Sequence, residues 1–372
     1  MIMKTIKISS VFYITLMTFL SVTINSCDGS SSGEETPEKE TVMRNVLPTE
    51  SLLQYNGRND MSTPQEPKLF WAGSGITFWF EGESLEVIMD DENGDNYYNI
   101  IIDDNYQEKT VFKCSKGERT YTFNGEITTG IHKVQINRRT GPDTGQTIFK
   151  GLRVNESAKF HPNPNPSTLK IEFYGDSISV GHGVLDDSRN DNDNKATWDN
   201  YKAYSFRTAA NLNADYRCIA MSGIGVMVSW FPLIMPDLYD RLDPSDENST
   251  WDFNQWTPDI VVVNLFQNDA WLINNLNPVP TDEERIQAYI DFITTLRGKY
   301  ANAHIICALG NMDASGSAWE TYVLEAVDRM KATDSKVYSQ IFPTKGTGGH
   351  PTVSEQKAMT DQLTSFINGT LL

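Results

Sequence analysis

Cysteine is scarce in this chain of 372 residues, with four in all, and there are only five histidines. Cys27 stands near the N-terminus, while Cys114, Cys218 and Cys307 are far apart in the apolar runs TVFKC, YRCIAM and HIICALG. An odd, widely spaced trio argues against a disulfide framework and against a zinc cluster, so buried free thiols are expected. Positive charge is also short: 31 Lys and Arg face 49 Asp and Glu, for a net charge of -18. Such a surface repels phosphate backbones and anionic membranes, which argues against nucleic acid as a partner and leaves neutral polymers such as polysaccharides open. The apolar run VFYITLMTFLSV, residues 11–22, falls well short of the roughly 20 residues that a membrane-spanning helix needs.

That run belongs to a leader. Residues 1–26 carry Lys4 and Lys7 and no acid, then end at TINSC. This pattern resembles a bacterial lipoprotein signal, in which Cys27 would become the lipidated first residue. The expectation is an exported protein, lipid-anchored to a bacterial membrane in the periplasm or at the cell surface. Residues 27–45 follow as an acidic Ser/Gly tether with nothing to bury.

Beyond the tether the pattern divides at HPNPNPS, so residues 161–168 read as an extended proline-rich linker. From 46 to 160 the apolar residues alternate: Ile76, Phe78 and Phe80; Leu85, Val87 and Met89; Tyr98, Ile100 and Ile102. Turn signals such as ENGDN, SKGER and TGPDTG separate these runs, which predicts an all-β sandwich or jelly roll. From 169 to 372 continuous apolar runs (STLKIEFY, YRCIAM, DIVVVNLF, HIICALG, KVYSQIF) alternate with helical stretches. Strand and helix in turn predict an α/β domain, a parallel sheet with helices on both faces.

In such folds function gathers beyond the carboxyl ends of the strands. Ser177 follows the first of these strands, Gly223 the second, Asn268 and Asp269 the third, and His350 the fifth. A hydroxyl, a glycine amide, a carboxamide and an imidazole are the parts of an acyl-transfer site. Each has a plainer reading as well: Ser177 as a helix cap, Gly223 and Asn268 as turn residues. The other histidines are expected away from the site, His182 among them, on a local turn aimed elsewhere. GIGVMV lacks the third glycine of a dinucleotide loop, and DDSRNDNDNK lacks the EF-hand pattern and reads as a solvated loop. No metal and no cofactor are expected.

The blocks Gly175-Asp176-Ser177, Gly223, Asn268-Asp269 and His350-Pro351, in that order, resemble the SGNH (GDSL-type) hydrolases. With the preceding β-sandwich, and with YNGRND, FWAGSGITFWFEG and YYNIIIDD inside it, the chain is similar to carbohydrate esterase family 2. The resemblance implies a flavodoxin-like three-layer α/β/α hydrolase domain after a jelly roll. It further implies an acetylxylan esterase-like activity on acetylated polysaccharides or oligosaccharides, with Ser177 as nucleophile and His350 as base. Ser177, Gly223 and Asn268 would form the oxyanion hole. Trp198, Trp230 and Trp271 are candidates to stack on sugar rings, or else to pack between the two halves. Two departures stand out. Phe266 occupies the family's glycine position in Gly-x-Asn-Asp, and no acid stands two or three residues before His350, where Gly348 and Thr347 lie. The expectation is therefore a Ser–His dyad with a backbone carbonyl on the imidazole. An esterase for another acylated glycan or lipid, or a degenerate glycan-binding member, is the alternative.

Overall fold

Alternating side chains place one apolar row on the inner face of each antiparallel sheet, and two such rows make the first core. Its clearest case is Leu85–Asp91, whose residues are buried at every second position. Ile76, Phe78 and Phe80 on Gly75–Glu81 pair in register with Ile136, Val134 and His132, and all three side chains are buried. Facing them are Leu85, Val87, Met89, Phe149, Leu152 and Val154. The result is a sandwich of two sheets. The computed structural model describes residues 41–372 except Asn192, so the expected signal segment, the lipidation of Cys27 and most of the tether lie outside the described residues. The tether's last residues are already structured: Met43–Val46 pairs antiparallel with Leu152–Asn155.

The last sandwich strand ends at His161 and the parallel sheet begins at Leu169. Its five strands, Leu169–Gly175, Ala214–Ala220, Ile260–Asn264, His304–Leu309 and Val337–Ile341, lie in the order second, first, third, fourth, fifth. Their continuous apolar runs follow from burial on both faces. Ile171 and Phe173 pack under the helices Tyr204–Asn211 and Val353–Thr370. Tyr174, Val261 and Val263 pack under Asp282–Lys299 and Ala318–Lys331 on the opposite face. Two of the long helices begin with capping boxes, Thr281 with Glu284 and Thr352 with Glu355, each satisfying end N–H groups that have no intrahelical acceptor. Cys114, Cys218 and Cys307 are buried free thiols, as the sequence suggests.

The two halves are locked together by a buried charge. Arg58, from the sandwich, donates to Glu172 Oε1 at 3.1 Å and to the carbonyls of Tyr239 and Arg241 at 2.7 and 2.9 Å. Both charged side chains are fully buried, and Tyr174 and Tyr300 donate to the other Glu172 oxygen. Removing one partner of such a pair strands the other charge at about 3–5 kcal/mol, so the pairing holds the sandwich against this sheet. Glu172 lies on the strand that ends at Gly175, two residues before Ser177. The clamp therefore fixes the base on which the candidate site is built.

Candidate active site

Four of the five parallel strands deliver their residues to one edge, as their order requires. Ser177, Gly223, Asn268 and His350 border a single cavity of about 320 Å³, together with His182, Ser222, Trp230, Phe231 and Trp271. Ser177 opens a single helical turn, Ser177–Val180, directly after the first strand. The N-cap is not Ser177 but Asp176, whose Oδ1 accepts the Ile178 N–H at 2.9 Å. This leaves the Ser177 hydroxyl uncommitted: among the described residues it has no hydrogen-bond partner. The Ser177 amide, at the first helical position, has no intrahelical acceptor either. Gly223 takes φ +87° after the second strand, a conformation that disfavours side chains, and its amide is likewise unpaired among the described residues.

Asn268 is held in one orientation. Trp230 Nε1 donates to its Oδ1 at 3.1 Å, and its Nδ2 donates to the Ile224 carbonyl at 2.8 Å. A second contact from Nδ2, to Asp176 Oδ2, is long at 3.4 Å. Asp269 beside it accepts the backbone N–H groups of Val226, Met227 and Val228 at 2.9, 2.6 and 3.1 Å. Burial pushes this carboxyl up to about 6, against the pull of those three donors. Asp269 thus organises GIGVMV, the loop that leads from Gly223 to Trp230.

Phe266, at the family's glycine position, has φ +85° and is fully buried. Left-handed backbone costs a residue with a side chain about 1–2 kcal/mol. Its ring packs on Tyr289 and Trp319, with centroids 4.8 and 5.0 Å away, and burial of a Phe side chain returns about 1.5–3 kcal/mol. The ring faces the core and forms no part of the cavity wall.

The expectation of a dyad is corrected here. Asp191 Oδ1 accepts the His350 Nδ1–H at 2.8 Å and the His350 backbone N–H at 2.7 Å. Arg189 donates from Nη1 to the His350 carbonyl at 3.1 Å, so one short segment grips His350 at three atoms. Gly349, at φ +65°, makes the approach possible: a Cβ there would stand 2.9 Å from Asp191 Oδ1. Arg189 and Asp191 are themselves left-handed, at φ 59° and 50°. Partial burial acts to raise the Asp191 carboxyl, but the hydrogen bond and charge of His350 outweigh it and hold the group at about 2. The acid comes from the loop read as merely solvated, 159 positions before the histidine. Asp186, Asp187, Asp191 and Asp193 all sit in that loop, and nothing in their order singles out Asp191. The Ser177 hydroxyl and His350 Nε2 are not hydrogen-bonded to each other here; such bonds often close only around substrate.

One further placement differs from expectation, and another falls on the packing alternative. His182 is not aimed elsewhere: its ring stacks on His350 at 4.1 Å and 17°. The chain reverses at Gly181 directly after the short helical turn, which returns His182 to the cavity. Trp198 is 0% exposed and packs on the other face of His182, at 4.0 Å, so it offers no surface for a sugar. Its carbonyl accepts from Arg139 Nε at 2.8 Å, which ties it to the sandwich half. Trp230 and Trp271 remain 64% and 40% exposed at the cavity mouth. No group of three or more His, Cys, Asp or Glu among the described residues is placed to hold a metal ion.

The buried Asp176 carboxyl yields a pH prediction. Burial pushes it up to about 7, with the nearby Asp269 adding to the rise and the Ile178 N–H opposing it. A carboxyl whose folded pKa lies above its unfolded value binds extra protons when folded, so it lowers stability as pH rises from about 4 to 7. Asp176→Asn keeps a good cap and removes the charge. Chemical denaturation should find the variant matched to wild type near pH 4 and more stable by pH 8, with a ceiling of about 4 kcal/mol. A gain that is flat across this range rules out the shifted carboxyl.

Comparison with known proteins places the chain. The family model described as carbohydrate esterase 2 N-terminal matches residues 55–164. The cellulase/esterase CelE of Acetivibrio thermocellus is 32% identical over 86% of the chain, which spans only 39% of that longer protein. An acetylxylan esterase/glucomannan deacetylase of Cellvibrio japonicus is 25% identical, with 86% of this chain and 89% of that one covered. The crystal structure of a family two carbohydrate esterase from Clostridium thermocellum, in complex with cellohexaose, superposes with a TM-score of 0.78 at 31% identity. That match covers 86% of this chain and 99% of the other.

Proposed function

We propose, from the premise that the chain belongs to carbohydrate esterase family 2, that it removes acetyl groups from polysaccharides or oligosaccharides by a Ser–His–Asp mechanism. The observation that carries this reading is the convergence of Ser177, Gly223, Asn268 and His350 on one cavity, with Asp191 on the imidazole. With its Nδ1–H donated to Asp191, His350 keeps Nε2 free to take a proton.

Ser177 Oγ attacks the acetyl carbonyl carbon while His350 Nε2 accepts the hydroxyl proton. The carbonyl π electrons move to oxygen, and the resulting oxyanion is met by the amides of Ser177 and Gly223 and by Asn268 Nδ2. One Asn268 hydrogen is committed to Ile224; the other, in its long contact with Asp176, is the one an oxyanion recruits. Collapse breaks the bond to the sugar oxygen, which leaves with the proton from His350. Water then attacks the acetyl-enzyme, again through His350, and acetate departs. Asp191 stabilises the imidazolium formed in each half-reaction and is not itself protonated. Substrate class follows the named relatives, an acetylxylan esterase/glucomannan deacetylase and a structure holding cellohexaose.

Acetate release from acetylated xylan and acetylated glucomannan tests the reading; inertness of the wild type on both overturns the substrate class. Asn268→Ala should lower kcat about 10²–10³-fold with KM changed little, because the lost donor acts on charge that exists only in the transition state. A rise in KM with kcat unchanged would instead mark Asn268 as a contact made equally in the ground state.

A further inference from the structure

Among the described residues, His182 is the one ionisable group lining the cavity that this mechanism leaves unused. Its ring is clamped on both faces, by Trp198 at 4.0 Å and by His350 at 4.1 Å, so only its edges are available for contact. On one edge Nδ1 meets Ser222 Oγ at 3.2 Å. Nε2 has no partner among the described residues, and it is not among their buried unpaired polar atoms. Ser222 directly precedes Gly223, so the His182–Ser222 pair stands beside the oxyanion donors. The other walls near the pair are the rings of Trp230, Phe231 and Trp271. A cavity of this kind takes orientation from its few placed polar groups.

We infer that His182 Nε2, set by Ser222, is a hydrogen-bond site for a hydroxyl group on the sugar half of the ester. The inference rests on the esterase reading above. An acetyl methyl offers an imidazole edge nothing, whereas the alcohol half carries hydroxyls that both donate and accept. Burial, the charge of His350 and that of Lys195 together hold the His182 ring down at about 3, so it is neutral throughout the working range. A neutral imidazole has one donor and one acceptor nitrogen. With Ser222 engaging Nδ1, Nε2 complements a hydroxyl in either tautomer. The tight stack also explains why His182 is unsuited to be a second base: a proton there would sit against the His350 imidazolium.

The test compares two substrates in the full chain: an acetylated xylo-oligosaccharide and 4-nitrophenyl acetate, which has no sugar hydroxyl. His182→Phe preserves both ring stacks and removes the nitrogen edge; Ser222→Ala preserves the ring and removes its partner. The ratio of kcat/KM for the saccharide to kcat/KM for the aryl ester should fall about tenfold in His182→Phe, and about two- to fivefold in Ser222→Ala, in line with one neutral hydrogen bond. A ratio unchanged in His182→Phe, whatever the absolute loss, overturns the inference and leaves the ring as a support for His350. Should that variant not fold, an unchanged ratio in Ser222→Ala overturns it equally. Failure of the wild type to deacetylate any saccharide overturns the parent reading and this inference with it.

Discussion

Replacing Ser177 with alanine should lower kcat/KM for acetyl ester hydrolysis by about 10⁴–10⁶-fold and leave the fold and its melting temperature as they are. The expected size follows from the proposed covalent role: with that nucleophile gone, only the proposed oxyanion donors and binding would remain, and such groups supply a residual of about 10³–10⁴ over water. The structural silence follows from the site. Ser177 Oγ has no hydrogen-bond partner among the described residues, and the neighbouring helical turn is capped by Asp176. Alanine is a better helix former than serine, so the turn survives the change. Steady-state kinetics on an aryl acetate, beside a thermal melt, measure both halves of the prediction. Activity retained within about tenfold would remove Ser177 from the mechanism. A collapse of the melt would mean that the loss reports folding.

Asp191→Ala should cost about 10²–10⁴ in kcat, and this result separates a triad from a dyad. In the proposed triad the carboxylate has two tasks: it fixes the proton on Nδ1, and it stabilises the imidazolium that would form after attack. A backbone carbonyl can do the first without the full charge needed for the second. Here the same oxygen also holds the His350 main-chain N–H at 2.7 Å, so its removal frees the loop as well. Asp191→Asn separates these tasks, since an amide can keep the main-chain contact but carries no charge. The asparagine variant should therefore lose nearly as much activity as alanine. Partial recovery to within about threefold of wild type would assign Asp191 to loop support alone. The pair has a clear pH signature too. A carboxyl held at about 2, below its unfolded value, contributes stability that is present above about pH 4 and lost only as pH falls through about 2. The charge on Asp191 is thus constant across the working range, and the pH dependence of wild-type activity near neutrality does not report its titration.

The same loop shows where linear reading stops. DDSRNDNDNK carries several acids and no local pattern, which is the appearance of any solvated loop. Its hold on His350 depends on a left-handed backbone at Arg189 and Asp191, on the bare α-carbon of Gly349, and on a contact across 159 positions. None of these leaves a periodic trace. Phe266 is the converse. Its mismatch with the family pattern is visible in the sequence, but only the Tyr289 and Trp319 rings around it show that it belongs to the core. For His182, nearness to Ser177 along the chain suggests a local turn aimed elsewhere, yet the reversal at Gly181 brings the ring back to the same cavity.

What this chain's sequence determines by itself is its architecture and the strand ends that carry chemistry. Period-two alternation can bury only one face of a sheet, and unbroken apolar runs must be covered on both, so sandwich and parallel sheet are legible without coordinates. Strand order then brings Ser177, Gly223, Asn268 and His350 to one edge. Tertiary structure alone decides which carboxylate reaches the imidazole, which rings are exposed and which histidine stacks on His350. Those are matters of a few ångströms between loops, set by backbone conformation and packing, and spacing along a chain does not encode them.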